Sequence, residues 1–222
     1  MRASDRAYGI LKDDILQWRL APGTVLGETE QSQRLGISRT PLREAILRLA
    51  ADGLVDTQRG RAGVVTDVSP TNLTELFELR EALETQAARL AARRRDADVF
   101  LALRDDFRAA PNGLEHGTAD YYALVGRLDA AIDTAMANPF LLASLAGLRS
   151  HLARARRLAQ DNPRRLAESV SEHVLIVQAI LDRDEMLAAQ ATAVHLRKSL
   201  ANLLDTAGSS GASDVSSTKG TP

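Results

Sequence analysis

Two groups of side chains in this sequence have the type and spacing to do chemistry. The first is a cationic tip on an apolar helix. In "GISRTPLREAILRLAADGLV", residues 36 to 55, Leu42, Ala45, Ile46, Leu49 and Gly53 recur at the spacing of one helical face. The same helix opens with Ser38, Arg39, Thr40 and Pro41 and then adds Arg43. Ser38 can cap the helix, and Pro41 fits a first turn whose backbone N–H groups have no partner anyway. Those N–H groups suit phosphate. An arginine can bridge two acceptors on guanine, and a threonine can meet a phosphate or a thymine methyl. The chemistry is that of reading DNA. The competing account is a solvated helix end. It fits Arg48, which Glu44 precedes by four and can pair. It fits Arg39 and Arg43 less well, because no acid stands at that spacing from either.

The second group is Arg80, His173 and His195, each in the middle of a helical face. Arg80 lies among Leu76, Leu83, Ala87 and Leu90, and a guanidinium there must find a partner. That partner is either Glu84, one turn on, or an anionic ligand, since arginine holds carboxylates bidentately. His173 lies among Leu166, Val177 and Ile180, where a lone histidine is usually a core residue. His195 shares its face with Ala188, Ala191, Thr192, Ser199 and Asn202, small side chains that leave room for a pocket wall. His116 and His151 read as loop and helix-edge residues.

The elements that must position these groups follow from breaks and periodicity. Ser4 can cap a helix to about Trp18; "LAPGTVL" is a turn; a short helix runs from about Thr29 to Leu35 and ends at Gly36. The helix from Arg39 to about Asp52 closes at Gly53. "LVDTQ" and "GVVTDV" around "RGRAG" read as a small β-hairpin with Arg59, Gly60 and Arg61 at its tip. Helix, helix, turn, helix, hairpin is the order of a winged helix-turn-helix. Ser69-Pro70 starts a new region, a capping serine with proline at the first helical position. From there to residue 206 the pattern is helical, with breaks at Arg95-Asp96, "APNGLEHG", Asn138-Pro139, "DNPRR" and "DRDE". About six helices in an all-α bundle are expected. The fold class is therefore mainly α. Residues 1–68 form the winged domain with its β-hairpin wing, 69–206 the helical domain, and 207–222, rich in Gly and Ser, a disordered tail.

Composition narrows the classes. The chain has 222 residues, a net charge of −1 and no cysteine, so disulfide and thiolate chemistry are excluded. No window is apolar enough for a signal peptide or a membrane span, which points to the cytoplasm. Basic character is local: residues 34 to 61 hold six arginines against three acids.

The stretch "PGTVLGETEQSQRLGISRTPLREAILRLAADGLVDTQRGRAGVVTDVS" closely resembles the N-terminal domain of GntR-family bacterial transcription regulators. "LFELREALETQAARLAA" resembles the first helix of the FCD effector domain of the FadR subfamily, and the resemblance runs over about residues 6 to 205. It implies DNA contacts from Arg39, Thr40 and Arg43 and from a wing tip at Arg59 and Gly60. Thr29 stands where some members carry a DNA-contacting arginine. It also places a pocket arginine at Arg80. "SEHVLIVQAILDRD" and "AVHLRKSL" match segments that supply metal-ligating histidines, here His173 and His195. The family's other two ligands, an aspartate and a histidine, fall on Val125 and Asp129. Asp129, His173 and His195 then either form a three-ligand site for a divalent metal such as zinc, nickel or manganese, or are the remnant of a dead one.

The function expected is a ligand-responsive transcription regulator, not an enzyme. As a repressor, it would bind a palindromic operator as a homodimer and be released by a small organic acid held at Arg80, His173 and His195. Two alternatives remain open at this stage. One is metal-dependent hydrolysis at Asp129, His173 and His195. The other is an architectural DNA-binding protein with no ligand.

Overall fold

The computed structural model describes residues 1–57, 62–110, 119–158 and 162–214. The expected wing tip, with Arg59 and Gly60, lies outside the described residues, as do His116 and the end of the tail. Two compact units are present. One comprises Met1–Asn72 and Arg149–Arg157, the other Leu73–Leu148 and the chain from Leu158 onward.

In the first unit, α1 (Ala3–Leu16) buries Ala7, Leu11 and Ile15, one per turn. Its N-cap is Arg2, and Ser4 sits inside the helix, buried, rather than capping it. Trp18, just past α1, adopts a left-handed φ of 58°, and its buried indole N–H meets no acceptor among the described residues. α2 (Glu28–Leu35) ends at Gly36, whose φ of 62° and ψ of 40° turn the chain into α3 (Arg39–Ala51). Leu42, Ala45, Ile46 and Leu49 of α3 pack on α1, and Leu26, Leu54, Val55 and Val65 complete the core.

The hairpin expectation holds for β2 (Val55–Asp56) and β3 (Gly63–Val65), which pair antiparallel with Val55 opposite Val65. A third strand, β1 (Val25–Leu26), joins them with Val25 opposite Val64, so the sheet order is β1-β3-β2. The segment expected to be only a turn therefore also contributes a strand. Two residues are too few to show an alternating pattern in sequence.

The second unit carries the expected helical run, and a capping side chain marks five of its helix starts. α4 (Pro70–Arg94) begins with the Asn72 N–H donating to Ser69 Oγ at 3.2 Å. α5 (Ala97–Ala109) is capped by Asp96 and is followed, after the region 111–118, by α6 (Ala119–Met136). Asn138 accepts from the Phe140 and Leu141 N–H groups at the start of α7 (Pro139–Leu158). Asn162 caps α8 (Pro163–Leu181), and Asp184 accepts from Leu187 at the start of α9 (Glu185–Asp214). Proline occupies the first turn of α4, α7 and α8, where its missing N–H costs nothing. One core gathers Phe100, Leu103, Phe107, Leu128, Val177 and Ile180 between α5, α6, α8 and α9. A second joins Leu90, Met136, Leu141, Leu145 and Leu148 from α4, α6 and α7.

α9 runs on to Asp214, past Thr206, where the sequence places the end of the domain. No proline interrupts residues 207–214, so the backbone ladder can continue even without an apolar stripe. Deleting residues 208–222 removes no described core side chain. The truncated chain is expected to keep the parent's melting temperature, which a thermal scan of the two proteins checks.

Candidate functional site

The exposed side of α3 is built from its own periodicity. Leu42 and Ile46 face inward, so Arg39, Thr40 and Arg43 are left in solvent at the helix tip, with Ser38 just before them. Ser38 holds the extended N-cap geometry, φ −74° and ψ 167°, but its side chain makes no capping hydrogen bond to the helix. Its hydroxyl thus lies beside the open N–H groups of the first turn without closing them.

The two tip arginines lean on the start of α2. Arg39 Nη2 donates to Thr29 Oγ1 at 3.2 Å, and Arg43 Nε donates to Glu28 Oε1 at 2.7 Å. No acid stands at a helical spacing from Arg43, but Glu28 of the neighbouring helix supplies one from a distance that spacing does not reveal. Arg43's hydrogen bond holds the Glu28 carboxyl below its ordinary pKa. Arg48 also departs from expectation. Its guanidinium pairs with Asp5 at 2.8 Å and lies 4.1 Å from the centre of the Tyr8 ring, both on α1, instead of meeting Glu44. It therefore belongs to the α1–α3 contact.

In the second unit, Arg80 is buried and takes the partner on its own helix. Its Nε donates to Glu84 Oε1 at 2.8 Å and its Nη2 to Oε2 at 3.3 Å. The guanidinium also lies 4.5 Å from the centre of the Phe77 ring.

His173 and His195 do meet, with ring centroids 4.5 Å apart. Each ring is fixed by a side chain that the sequence reading passed over. His173 Nδ1 lies 3.0 Å from the Tyr121 hydroxyl, which in turn donates to Ser169 Oγ at 2.6 Å. Phe107 stacks on His173 at 5.0 Å. His195 Nδ1 lies 2.8 Å from Glu172 Oε2. Arg165 reaches the same carboxylate through both terminal nitrogens, at 3.0 and 2.8 Å, and Lys198 Nζ is 3.0 Å away.

Burial works against the charge on Glu172, but hydrogen bonds from His195, Arg165 and Lys198 outweigh it and bring its pKa down to about 2. Burial chiefly, with the charges of Arg165 and Arg80, holds His195 below its ordinary pKa despite the adjoining carboxylate. The neutral ring then donates from Nδ1 to Glu172. Burial pushes the Tyr121 hydroxyl up to about 12, so it remains a protonated donor.

The structure does not assemble the metal set. Among the described residues, no group of three or more His, Asp or Glu side chains is placed to hold a metal ion. The Nδ1 atoms of His173 and His195 face Tyr121 and Glu172, and Val125 is a buried apolar side chain with no donor atom. Asp129, half-buried on α6, does not join the two histidines in a coordinating set. Among the described residues no three-ligand set is assembled, and the function proposed below does not depend on one.

His151, expected as a helix-edge residue, instead reaches the end of α3, with Nε2 2.8 Å from the Asp52 carbonyl oxygen. The signal for Glu172 was present in the sequence. It stands beside His173 and two helical turns from Arg165, an acid and a base in register on one buried face.

A winged helix-turn-helix whose recognition helix carries a cationic tip, followed by a helical bundle, is the architecture of a DNA-binding regulator. Residues 3–65 match the model of the gntR family of bacterial regulatory proteins and residues 75–198 match the FCD domain. The chain belongs to the GntR family of transcription regulators and carries an FCD domain. A Streptomyces ambofaciens protein, described as an HTH-type transcriptional regulator in an unstable DNA locus, is 30% identical over 86% of this chain and 80% of its own length. The HTH-type transcriptional repressor RspR of Escherichia coli K12 is 26% identical over 88% of this chain and 86% of its own. The fold is shared with the solved structure of E. coli McbR/YncC, with a TM-score of 0.71 and 24% identity over 92% of this chain and 98% of that one. The relatives are transcription regulators, so the hydrolase alternative falls.

Proposed function

We propose that the protein is a ligand-responsive repressor that binds a palindromic operator as a homodimer and is released by a small organic acid. The observation that carries the reading is the solvent-exposed tip of α3, where Ser38, Arg39, Thr40 and Arg43 converge beside the start of α2. In a helix-turn-helix these residues meet base edges and phosphates. Arg59 and Gly60 would extend the contact from the wing. Residues 1–68 are the reading head, 69–206 the effector-binding and dimerising domain, and 207–222 a tail outside both. That RspR is a repressor supports the sign of the response. No helix among the described residues is long and apolar enough to cross a membrane, which agrees with work on DNA in the cytoplasm.

The effector reading rests on Arg80, His173 and His195. A carboxylate ligand would take the place of Glu84 on Arg80, while the two imidazoles and Tyr121 supply polar contacts. The test is an anisotropy titration of a duplex selected by the full chain, repeated against a panel of organic acids. One or more acids should weaken binding, and Arg80→Ala should abolish that response without changing DNA affinity in the acid's absence. No response from any acid, with Arg80→Ala indistinguishable from the parent, favours the ligand-free architectural alternative. A single reading head offers little affinity, and a two-fold dimer matches a two-fold site. Light scattering should give twice the 24.0 kDa chain mass; monomer alone, with and without DNA, would exclude the dimer.

A further inference from the structure

α7 is one continuous helix shared by the two compact units. Leu141, Leu145 and Leu148 sit in an apolar cluster of the helical unit, while Arg149–Arg157 group with the winged unit. Two polar side chains of the latter segment hold the reading head where its recognition helix ends.

The first is His151. Its Nε2 lies 2.8 Å from the Asp52 carbonyl oxygen. A carbonyl only accepts, so Nε2 carries the hydrogen and donates. Asp52 is the C-cap of α3, and carbonyls at a helix end have no partner within the helix. Gly53 follows in a left-handed turn, φ 72°, and a Cβ there would come within 3.3 Å of the imidazole. Burial lowers the His151 pKa, so the ring is neutral at neutral pH.

The second is Arg154, one turn on and only 1% exposed. It donates to Thr66 Oγ1 at 2.8 Å and also to the Thr66 carbonyl. Thr66 directly follows β3, the strand that leaves the wing. Its hydroxyl donates to the Gly53 carbonyl at 2.9 Å and its N–H to the Leu54 carbonyl at 3.1 Å. One turn of α7 therefore ties the end of α3 to the base of the wing through Asp52, Gly53, Leu54 and Thr66.

We propose that His151 and Arg154 are positioning residues for DNA recognition, fixing through Asp52 and Thr66 the angle at which the α3 tip and the wing are presented. Neither side chain lies at the tip itself. The lever is helix length: α3 spans about 20 Å, so a tilt of about 5° at its C-terminal end carries the tip about 2 Å, beyond the tolerance of a bidentate contact to a base edge. The proposal requires only that the protein read DNA, whether or not a ligand acts on it.

The test uses the full chain, a duplex it selects from a random library, and a scrambled duplex of equal length. His151→Leu should weaken binding to the selected duplex about tenfold and leave the scrambled one unchanged, because the phosphate-driven part of binding needs charge and not alignment. His151→Gln keeps an N–H donor and should restore most of the loss. Thr66→Val, which removes one of Arg154's two acceptors, should give a smaller selective loss. A His151→Leu variant that matches the parent on both duplexes, or loses both in equal proportion as a merely destabilised protein would, overturns the proposal. So does a glutamine variant no better than leucine. An unchanged Thr66→Val protein removes Arg154 from it.

Discussion

Arg39→Ala and Arg43→Ala should each weaken binding to the selected operator by about 1–3 kcal/mol, while Arg48→Ala changes it little. The three arginines share a helix but not an environment. Arg39 and Arg43 are exposed at its tip, where they donate to Thr29 and Glu28. Arg48 is committed to Asp5 and the Tyr8 ring. An arginine that reads a base edge loses two hydrogen bonds on truncation, and the loss is specific to that sequence. Glu28 adds a check on the geometry. It lies where an approaching phosphate would meet Arg43, so Glu28→Gln should raise affinity for non-operator DNA as one repelling charge disappears. Titrations of the four variants against operator and scrambled duplexes decide the matter. Equal losses for all three arginines would put the DNA on a different face.

Glu172→Leu should be the most damaging single change in the helical unit. It leaves Arg165 and His195, with side chains 12% and 15% exposed, without the carboxylate they share. Removing one partner of a buried pair typically costs about 3–5 kcal/mol, which for a chain of this size is roughly 6–20 °C in melting temperature. The acid dependence has a definite sign. The folded carboxylate holds a proton less readily than the unfolded one, about 2 against 4.5, so its contribution is complete above pH 4.5 and fades as pH falls from there towards 2. The full shift corresponds to about 3 kcal/mol. His195 adds an earlier loss. Its folded pKa is depressed, so stability declines once pH drops below 6.5, as the unfolded histidine gains a proton that the folded one refuses. Glu172→Gln should flatten the melting profile below pH 4.5 and leave the step near pH 6.5 in place. A parent profile level from pH 5 down to 2 would show that the carboxylate is not held as described.

What could be read from the sequence was whatever is decided within a turn or two of chain. Ser69-Pro70, Asn138-Pro139 and Asn162-Pro163 announced helix starts because a capping oxygen and a missing N–H act locally. Gly36 announced the turn into the recognition helix for the same reason. The partners of the charges were another matter. Arg43 meets Glu28 fifteen residues away, and Arg48 meets Asp5 forty-three away, pairs that only the packing of α1 and α2 on α3 creates. Ser38 has the conformation of a cap without the hydrogen bond, a distinction of side-chain rotamer that spacing does not encode. The surroundings of the two histidines were no more legible. The resemblance to FCD segments brought His173 together with His195, but which ring nitrogen faces what depends on Tyr121, Ser169 and Glu172. His151 was passed over because its use depends on a backbone carbonyl ninety-nine residues earlier.

The chain has one tryptophan, Trp18, and it belongs to the winged unit. Its indole N–H is buried with no acceptor among the described residues, on a half-buried ring. Intrinsic fluorescence is therefore a private optical channel for the reading head, with the helical unit dark at tryptophan wavelengths. Set beside calorimetry, which registers heat from both units, it separates the melting of the one from the melting of the other in a single unlabelled sample.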